Sequence, residues 1–239
     1  MSGHSKFHNI KATKDKADKA RSNIFTKIGR ELAVAVKAGG ADPSTNSKLY
    51  DVIQKAKQNN MPNDTIQRSI KKASGATDTD NFEAITYEGY GPHGVAFIVE
   101  CLTDNRNRTA SDVRHLFDKH GGSLGTSGSV MYMFDRKGVI KLEPKAGASE
   151  DDVMMAAIEA GADDVITEED GFVIYTSPEA FHAVSKAFED AGFNVISSEV
   201  EYVSSNLIPL DESQAESIEK LKDKLEELDD VQEVYTNLQ

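Results

Sequence analysis

The chain has 239 residues, 40 Asp/Glu against 27 Lys/Arg for a formal net charge of −13, 38% hydrophobic residues and a single cysteine. That length suits two or three domains with real cores, and the composition excludes a wholly disordered chain. The longest unbroken apolar run, residues 153–158, falls far short of the roughly 20 residues of a membrane span; lone Cys101 excludes an internal disulfide and a CxxC zinc pair.

No apolar stretch follows Met1-Ser2-Gly3-His4-Ser5-Lys6, so no secretory signal is read and a cytoplasmic protein is expected. Residues 16–38 are predicted helical, because Ile24, Phe25, Ile28, Leu32 and Ala35 recur at helical spacing and Gly39-Gly40 supplies a stop. Residues 47–58 repeat the pattern with Leu49, Val52, Ile53 and Ala56. A third helix follows Asn59-Asn60-Met61-Pro62, with Pro62 near its first turn and Asp64 suited to the positive helix end. The three helices form one small domain, and residues 74–80 read as the linker out of it.

Beyond the linker the period becomes strand-like at residues 84–88 and 95–102. Thr109-Ala110-Ser111-Asp112 fits a capping box for a helix that buries Val113, Leu116 and Phe117 and ends at Gly121-Gly122. Residues 130–134 and 139–142 read as strands joined by a tight turn at Asp135-Arg136-Lys137-Gly138. A helix from Ser149 to Ala160 follows, then strands on either side of Glu168-Glu169-Asp170-Gly171. A helix from Ser177-Pro178 to Ala191 and a strand beginning at Val195 come next. From 139 to 196 the order is β-α-β-β-α-β, the ferredoxin-like split βαβ unit. A strand near 199–203, a helix at 212–228 and a strand at 231–235 belong with the earlier strands. The predicted class is α+β: a three-helix N-terminal domain followed by two ferredoxin-like α/β domains, the third inserted in the second. The expected boundaries are 1–78, then 79–136 with 204–239, and 137–203 for the insertion.

Charge is divided along the chain. Residues 1–75 hold fifteen Lys/Arg and six Asp/Glu; residues 76–239 hold twelve and thirty-four. The local sign governs what a surface attracts, so an acidic total does not exclude a polyanionic partner. At about 100° per residue, Lys16, Lys19, Lys27, Arg30 and Lys37 share an arc roughly 80° wide that no carboxylate enters. Lys6, Lys11 and Lys14 precede it. Such a face suits phosphate contacts, which give affinity without sequence specificity; an ordinary solvated face is the plain alternative. Phe25 sits in the apolar arc, which leaves Phe7 as the candidate for stacking on a base.

Motifs that suggest chemistry lack their context. Gly89-Tyr90-Gly91-Pro92-His93-Gly94 matches GxGxxG but precedes a strand, and the glycines of 121–128 carry no Gly-Lys-Ser/Thr. His4 and His8 have no third metal ligand nearby, so no metal, cofactor or catalytic residue is expected. Outside the basic region, Arg106 and Arg108 precede a capped helix and could form an anion site; salt bridges between the α/β domains are the competing reading.

The segments Met1-Ser2-Gly3-His4-Ser5-Lys6-Phe7-His8-Asn9-Ile10-Lys11, Phe25-Thr26-Lys27, Asn59-Asn60-Met61-Pro62, Asp104-Asn105-Arg106-Asn107-Arg108-Thr109 and Gly121-Gly122-Ser123-Leu124-Gly125 through Gly128-Ser129-Val130 together resemble the YebC/PmpR family. The resemblance spans essentially the whole chain. It implies three domains, the third inserted in the second. It also implies a non-enzymatic transcriptional regulator that binds DNA or, alternatively, a ribosome-associated translation factor binding rRNA or tRNA and assisting synthesis through proline-rich stretches. Nucleic-acid contact by the segment holding Gly3, His4, Lys6, Phe7, His8 and Lys11 and a functional loop at Asn60, Met61 and Pro62 are further implications. The chain departs from the family pattern in having Phe7 where Trp is usual, and Ala20-Arg21-Ser22-Asn23 where a denser basic run is usual. A monomer with a nucleic-acid partner and no membrane is expected; a protein-interaction scaffold using the acidic body is the alternative of another class.

Overall fold

The computed structural model describes residues 19–75, 81–143, 149–168 and 170–239, with side chains from Asn23 onward. Three helices open the described chain: α1 (Lys19–Gly39), α2 (Ser47–Gln58) and α3 (Asn63–Gly75). Their apolar stripes meet in one core built on Ile28, Leu32, Leu49, Ile53, Ile66 and Ile70, the packing that makes short amphipathic helices stable together when each alone is marginal. Asn46 fixes the α1–α2 corner. Its Oδ1 accepts from Leu49 N at 3.0 Å as the N-cap of α2, while its Nδ2 donates at 2.8 Å to Ala35 O and Gly40 O at the end of α1. Gly40 takes a φ of +87° there, as a helix C-cap favours.

Two four-stranded antiparallel sheets follow. The first holds β1 (Glu83–Tyr90), β2 (Ala96–Thr103), the two-residue β3 (Ser123–Leu124) and β8 (Val231–Thr236), in the order β3-β1-β2-β8. A β1–β2 hairpin forms its centre, and the last strand of the chain returns to pair with β2. Helices α4 (Arg106–Lys119) and α7 (Glu212–Glu226) cover one face over Phe97, Val99, Phe117, Leu221 and Leu225. The second sheet holds β4 (Asp135–Leu142), β5 (Asp164–Glu168), β6 (Gly171–Thr176) and β7 (Val195–Val203) in the order β5-β6-β4-β7, which is the ferredoxin-like order. Helices α5 (Glu150–Ala160) and α6 (Phe181–Asp190) seal its core of Ile140, Leu142, Phe172, Ile174 and Phe188. The sheets meet through Ile98, Val130 and Phe134, with Tyr202 edge-on to Tyr235 at a centroid distance of 5.4 Å. The chain is thus α+β, with the second sheet built entirely from residues lying between β3 and β8.

Four local predictions are corrected. Asp135-Arg136-Lys137-Gly138 is strand, not turn: β4 pairs with β7 from Asp135↔Val203 to Leu142↔Val195, and β7 runs unbroken where two strands were expected. Gly138 reads as a turn glycine but is there for close approach, since a Cβ would collide with Thr176 Oγ1 and the Phe181 ring. Residues 131–133 form a 3-10 turn, with Val130 and Phe134 buried against the first sheet. Helix α4 starts at Arg106, capped by Asn105 accepting from Arg108 N at 3.1 Å, three residues before the expected box. Thr109 is therefore inside the helix, and its hydroxyl is released for another task.

Candidate nucleic-acid interface

The basic arc of α1 turns toward the α/β body. Lys27 Nζ donates to Glu226 O at 2.8 Å, and Arg30 Nη1 donates to Leu102 O at 3.0 Å, Asp229 O at 2.7 Å and Asp230 Oδ1 at 2.7 Å. Burial pushes the Lys27 ammonium below its ordinary value. Lys37 is exposed at the far end of the helix, with Nζ 3.2 Å from Asn81 Oδ1. Gly3, His4, Lys6, Phe7, His8, Lys11, Lys14 and Lys16, and the side chain of Lys19, lie outside the described residues. Of the arc cations whose side chains are described, then, two are taken up by the body and one stays exposed.

Asp230 is the hub of that contact. Besides Arg30 it accepts from Arg108 Nη2 at 2.8 Å, from Arg108 Nε at 3.3 Å, from Thr109 Oγ1 at 2.8 Å and from Thr103 Oγ1 at 3.3 Å. Burial alone would raise its carboxyl; these donors outweigh it and hold the group below the usual aspartate range. Arg108 Nη2 also reaches Asp104 Oδ1 at 2.7 Å, and exposed Arg106 lies 3.6 Å from Glu83. Both arginines of the expected anion site therefore already face carboxylates. The cleft of about 210 Å³ between Arg30, Arg108 and Asp229 is an ion-paired seam.

A second junction joins all three domains. Lys55 on α2 lies 3.1 Å from Glu31 on α1, 3.1 Å from Glu199 on β7 and 3.1 Å from Glu233 on β8. Burial would lower the lysine, but the three carboxylates hold it well above its ordinary value. Glu199, with burial the larger influence and Lys55 opposing, is pushed up to about 7. Nearby, His182 Nδ1 and Asp51 Oδ1 lie 2.6 Å apart, and Tyr50 donates to Glu189 Oε2 at 2.9 Å, so α2 is tied to α6. Sequence spacing does not signal these partners, which stand 24 to 178 residues apart.

Asn60, Met61 and Pro62 form a tight helix-to-helix turn. Asn60 has a φ of 59°, Met61 N donates to Ala56 O at 2.9 Å, and the Met61 side chain is buried in the helical core. This is a Schellman-type cap, in which the apolar residue after the left-handed one packs back onto its helix. Asn60 and Pro62 are the members of the loop that face solvent.

Glu88 is a site residue that alternation along β1 hides, since it is a buried carboxylate opposite Ile98. Its oxygens accept from Gly128 N at 2.6 Å, Val130 N at 2.9 Å and Met131 N at 2.8 Å. Against the upward push of burial, these donors hold it below the usual glutamate range. They also position the loop that carries Tyr132, whose ring is 76% exposed. Glu88→Ala is expected to cost about 1–3 kcal/mol, the penalty of stranded buried donors. Amide exchange at Gly128, Val130 and Met131 should accelerate selectively; unchanged exchange there would remove Glu88 from this role.

Known proteins share this architecture. Residues 5–76 match the model of the TACO1/YebC protein N-terminal domain, and residues 82–238 match that of the TACO1/YebC second and third domain. The chain belongs to the TACO1/YebC family. A TACO1/YebC-like chain of Acetivibrio thermocellus, described as a probable transcriptional regulatory protein, is 56% identical over 238 residues, 99% of this chain and 98% of its own. One of Clostridium tetani with the same description is 54% identical over 99% of this chain and 96% of its own. The crystal structure of a conserved hypothetical protein, Aq1575 of Aquifex aeolicus, superposes with a TM-score of 0.83 at 43% identity, covering 93% of this chain and 91% of that one.

Proposed function

We propose that this chain is a non-enzymatic, nucleic-acid-binding regulator of gene expression whose helical domain contacts phosphates. The observation that carries the reading is the separation of charge by domain: an excess of cations in residues 1–75 and a large excess of carboxylates after them. Arg68 and Lys71 are exposed on α3, opposite its buried Ile66 and Ile70. Lys48 and Lys57 are exposed on α2. With Lys37 and the leader cations Lys6, Lys11, Lys14, Lys16 and Lys19, they make the phosphate-contacting set; Gly3, His4, Phe7 and His8 accompany them. Asn60 and Pro62, the rigid solvent-facing turn, lie within the same domain. The description of close relatives as probable transcriptional regulatory proteins supports the regulatory part. Cys101 is buried and its thiol is pushed up to about 12, so it is no thiolate nucleophile at neutral pH. The domain division that goes with this reading is 1–78, then 79–136 with 204–239, and 137–203, with Asp135 and Arg136 moved to the insertion because β4 begins at Asp135.

Binding of 20-nucleotide single-stranded RNA, duplex RNA and duplex DNA, measured by fluorescence anisotropy from about 50 to 300 mM salt, tests it. Changing Lys6, Lys11 and Lys14 together to Glu should flatten the log–log salt slope by about 0.7–0.9 for each phosphate that the leader no longer neutralises. Affinity and slope that stay at their unsubstituted values would reject the leader as the contact surface. The ranking of the three probes separates a DNA target from a ribosomal one.

A further inference from the structure

The cations of α1 that face the body are met by a particular kind of surface. From the end of α7 to the start of β8, residues 226–233 contain Glu226, Glu227, Asp229, Asp230 and Glu233 and no cation. The chain here is also a helix C-terminus, where unsatisfied carbonyls carry partial negative charge. Glu226 O, Glu227 O and Asp229 O are the acceptors for Lys27, Asn23 and Arg30, at 2.8, 3.5 and 2.7 Å. Asp230 and Glu233 receive Arg30 and Lys55 through their carboxylates. A row of carbonyl and carboxylate oxygens thus faces the donors of the helical domain, the same acceptor chemistry that a phosphate backbone offers.

The seam is carried mainly by ion pairs and carbonyl bonds, with Arg30 over the Phe82 ring and Tyr50 edge-on to His182 as its aromatic contacts. The apolar core of the helical domain draws only on residues 24–73, and the cores of the two α/β domains draw on none of these. An interface of ion pairs and carbonyl bonds without a shared apolar cluster is the kind that opens on the functional timescale. A polyanion carrying more phosphates than the body carries acceptors competes directly for the same donors.

We infer that the acidic segment 226–233 is an internal mimic of a phosphate backbone, which occupies Lys27 and Arg30 until a nucleic-acid strand displaces it and frees the helical domain from the body. This rests on the proposed nucleic-acid reading and adds its regulation: affinity is held down by the fraction of molecules that are docked. If one molecule in ten is undocked, apparent affinity is about tenfold below that of the freed domain.

The test uses the full chain. Glu199→Gln, Glu233→Gln and His182→Ala together weaken the seam from the body side and leave every helical-domain cation in place. A charge-matched control carries Asp151→Asn and Glu159→Gln, on exposed positions of α5. The seam variant should bind 20-nucleotide RNA or duplex DNA about tenfold more tightly than the control. Separately, spin labels at Gln67→Cys on α3 and Glu179→Cys before α6, with buried Cys101 unlabelled, should report a longer distance distribution in the otherwise unsubstituted chain once oligonucleotide saturates it. Seam-variant affinity equal to the control, or spin-label distances unchanged at saturation, would overturn the mimic while leaving nucleic-acid binding intact. No binding by any of these chains would overturn both.

Discussion

Replacing Asp230 with alanine should lower the free energy of unfolding by about 3 kcal/mol, the cost of stranding the partner of a buried ion pair. The side chain is 9% exposed and receives hydrogen bonds from two arginines and two threonines, so its loss leaves Arg30 and Arg108 without their shared carboxylate and buried Thr103 without its acceptor, while Thr109 keeps Asn105 O. Asp230→Asn keeps one acceptor oxygen and should cost less. Arg106→Ala, which removes an exposed pair at 3.6 Å, should stay within about 0.5 kcal/mol. The pH dependence has a definite sign. Because the folded carboxyl is held below its unfolded value, its contribution is complete above the ordinary aspartate range and disappears as pH falls through the folded value. Urea melts at pH 7 and at successively lower pH should show the gap between the native chain and Asp230→Asn closing on acidification. A gap below about 1 kcal/mol for Asp230→Ala at pH 7 would mean that the hub is not structural.

Periodicity made the helices legible because each buries its own stripe: Leu49, Val52, Ile53 and Ala56 specify α2 to the residue. It placed most strands for the same reason. It failed where a residue serves a distant partner. Gly138 looks like a turn and is instead a gap for Phe181; Thr109 looks like a cap and is instead a donor to Asp230. At the candidate interface, helical projection correctly grouped Lys27 and Arg30 on one side of α1, but a projection shows only that residues share a face. Which body lies against that face depends on contacts to residues 72 to 200 positions away, and no local pattern encodes them. Asp230 and Glu233 were visible only as members of an acidic run. Their pairing with a basic helix follows from charge complementarity, although that principle does not distinguish an internal acidic partner from an external one.

This ambiguity gives the divided charge two consequences. Like-charge repulsion keeps the acidic body off a polyanion and favours approach by the helical domain. The same acidic body is the nearest available ligand for that domain's cations. On the proposed reading, net affinity for nucleic acid is a difference between two electrostatic terms of similar origin, both weakened by salt. A salt titration of the intact chain should therefore be shallower than one of the seam-weakened chain, since salt loosens the competitor as well as the complex.

Lys55→Met should have an effect comparable to loss of Asp230, and its gap should likewise close on acidification, but in a higher pH window, because Glu199 is held at about 7. The substitution keeps the aliphatic bulk of the stem but leaves Glu31, Glu199 and Glu233 without the lysine they share, at a cost of about 3 kcal/mol at neutral pH. Even with Lys55 present, burial holds Glu199 at about 7. Without it, Glu199 rises further above its unfolded value and Glu233 loses the neighbour that helps hold it below its ordinary value, so the folded state takes up protons more readily than it does with Lys55 present. Stability of the variant is therefore greatest at low pH and falls as pH rises through the folded values. Lys55 itself, raised above the ordinary lysine value, stays charged in both states below pH 10 and contributes no slope between pH 5 and 8. Denaturant melts should show the smallest gap between native chain and variant near pH 5 and the largest near pH 8. Adding Glu199→Gln to Lys55→Met should restore about 1–2 kcal/mol at pH 8, whereas Glu199→Gln alone should be destabilising or neutral, a coupling that residues acting independently would not produce. A pH-independent gap, or additive effects in that cycle, would show that Lys55 does not hold the three domains together through its charge.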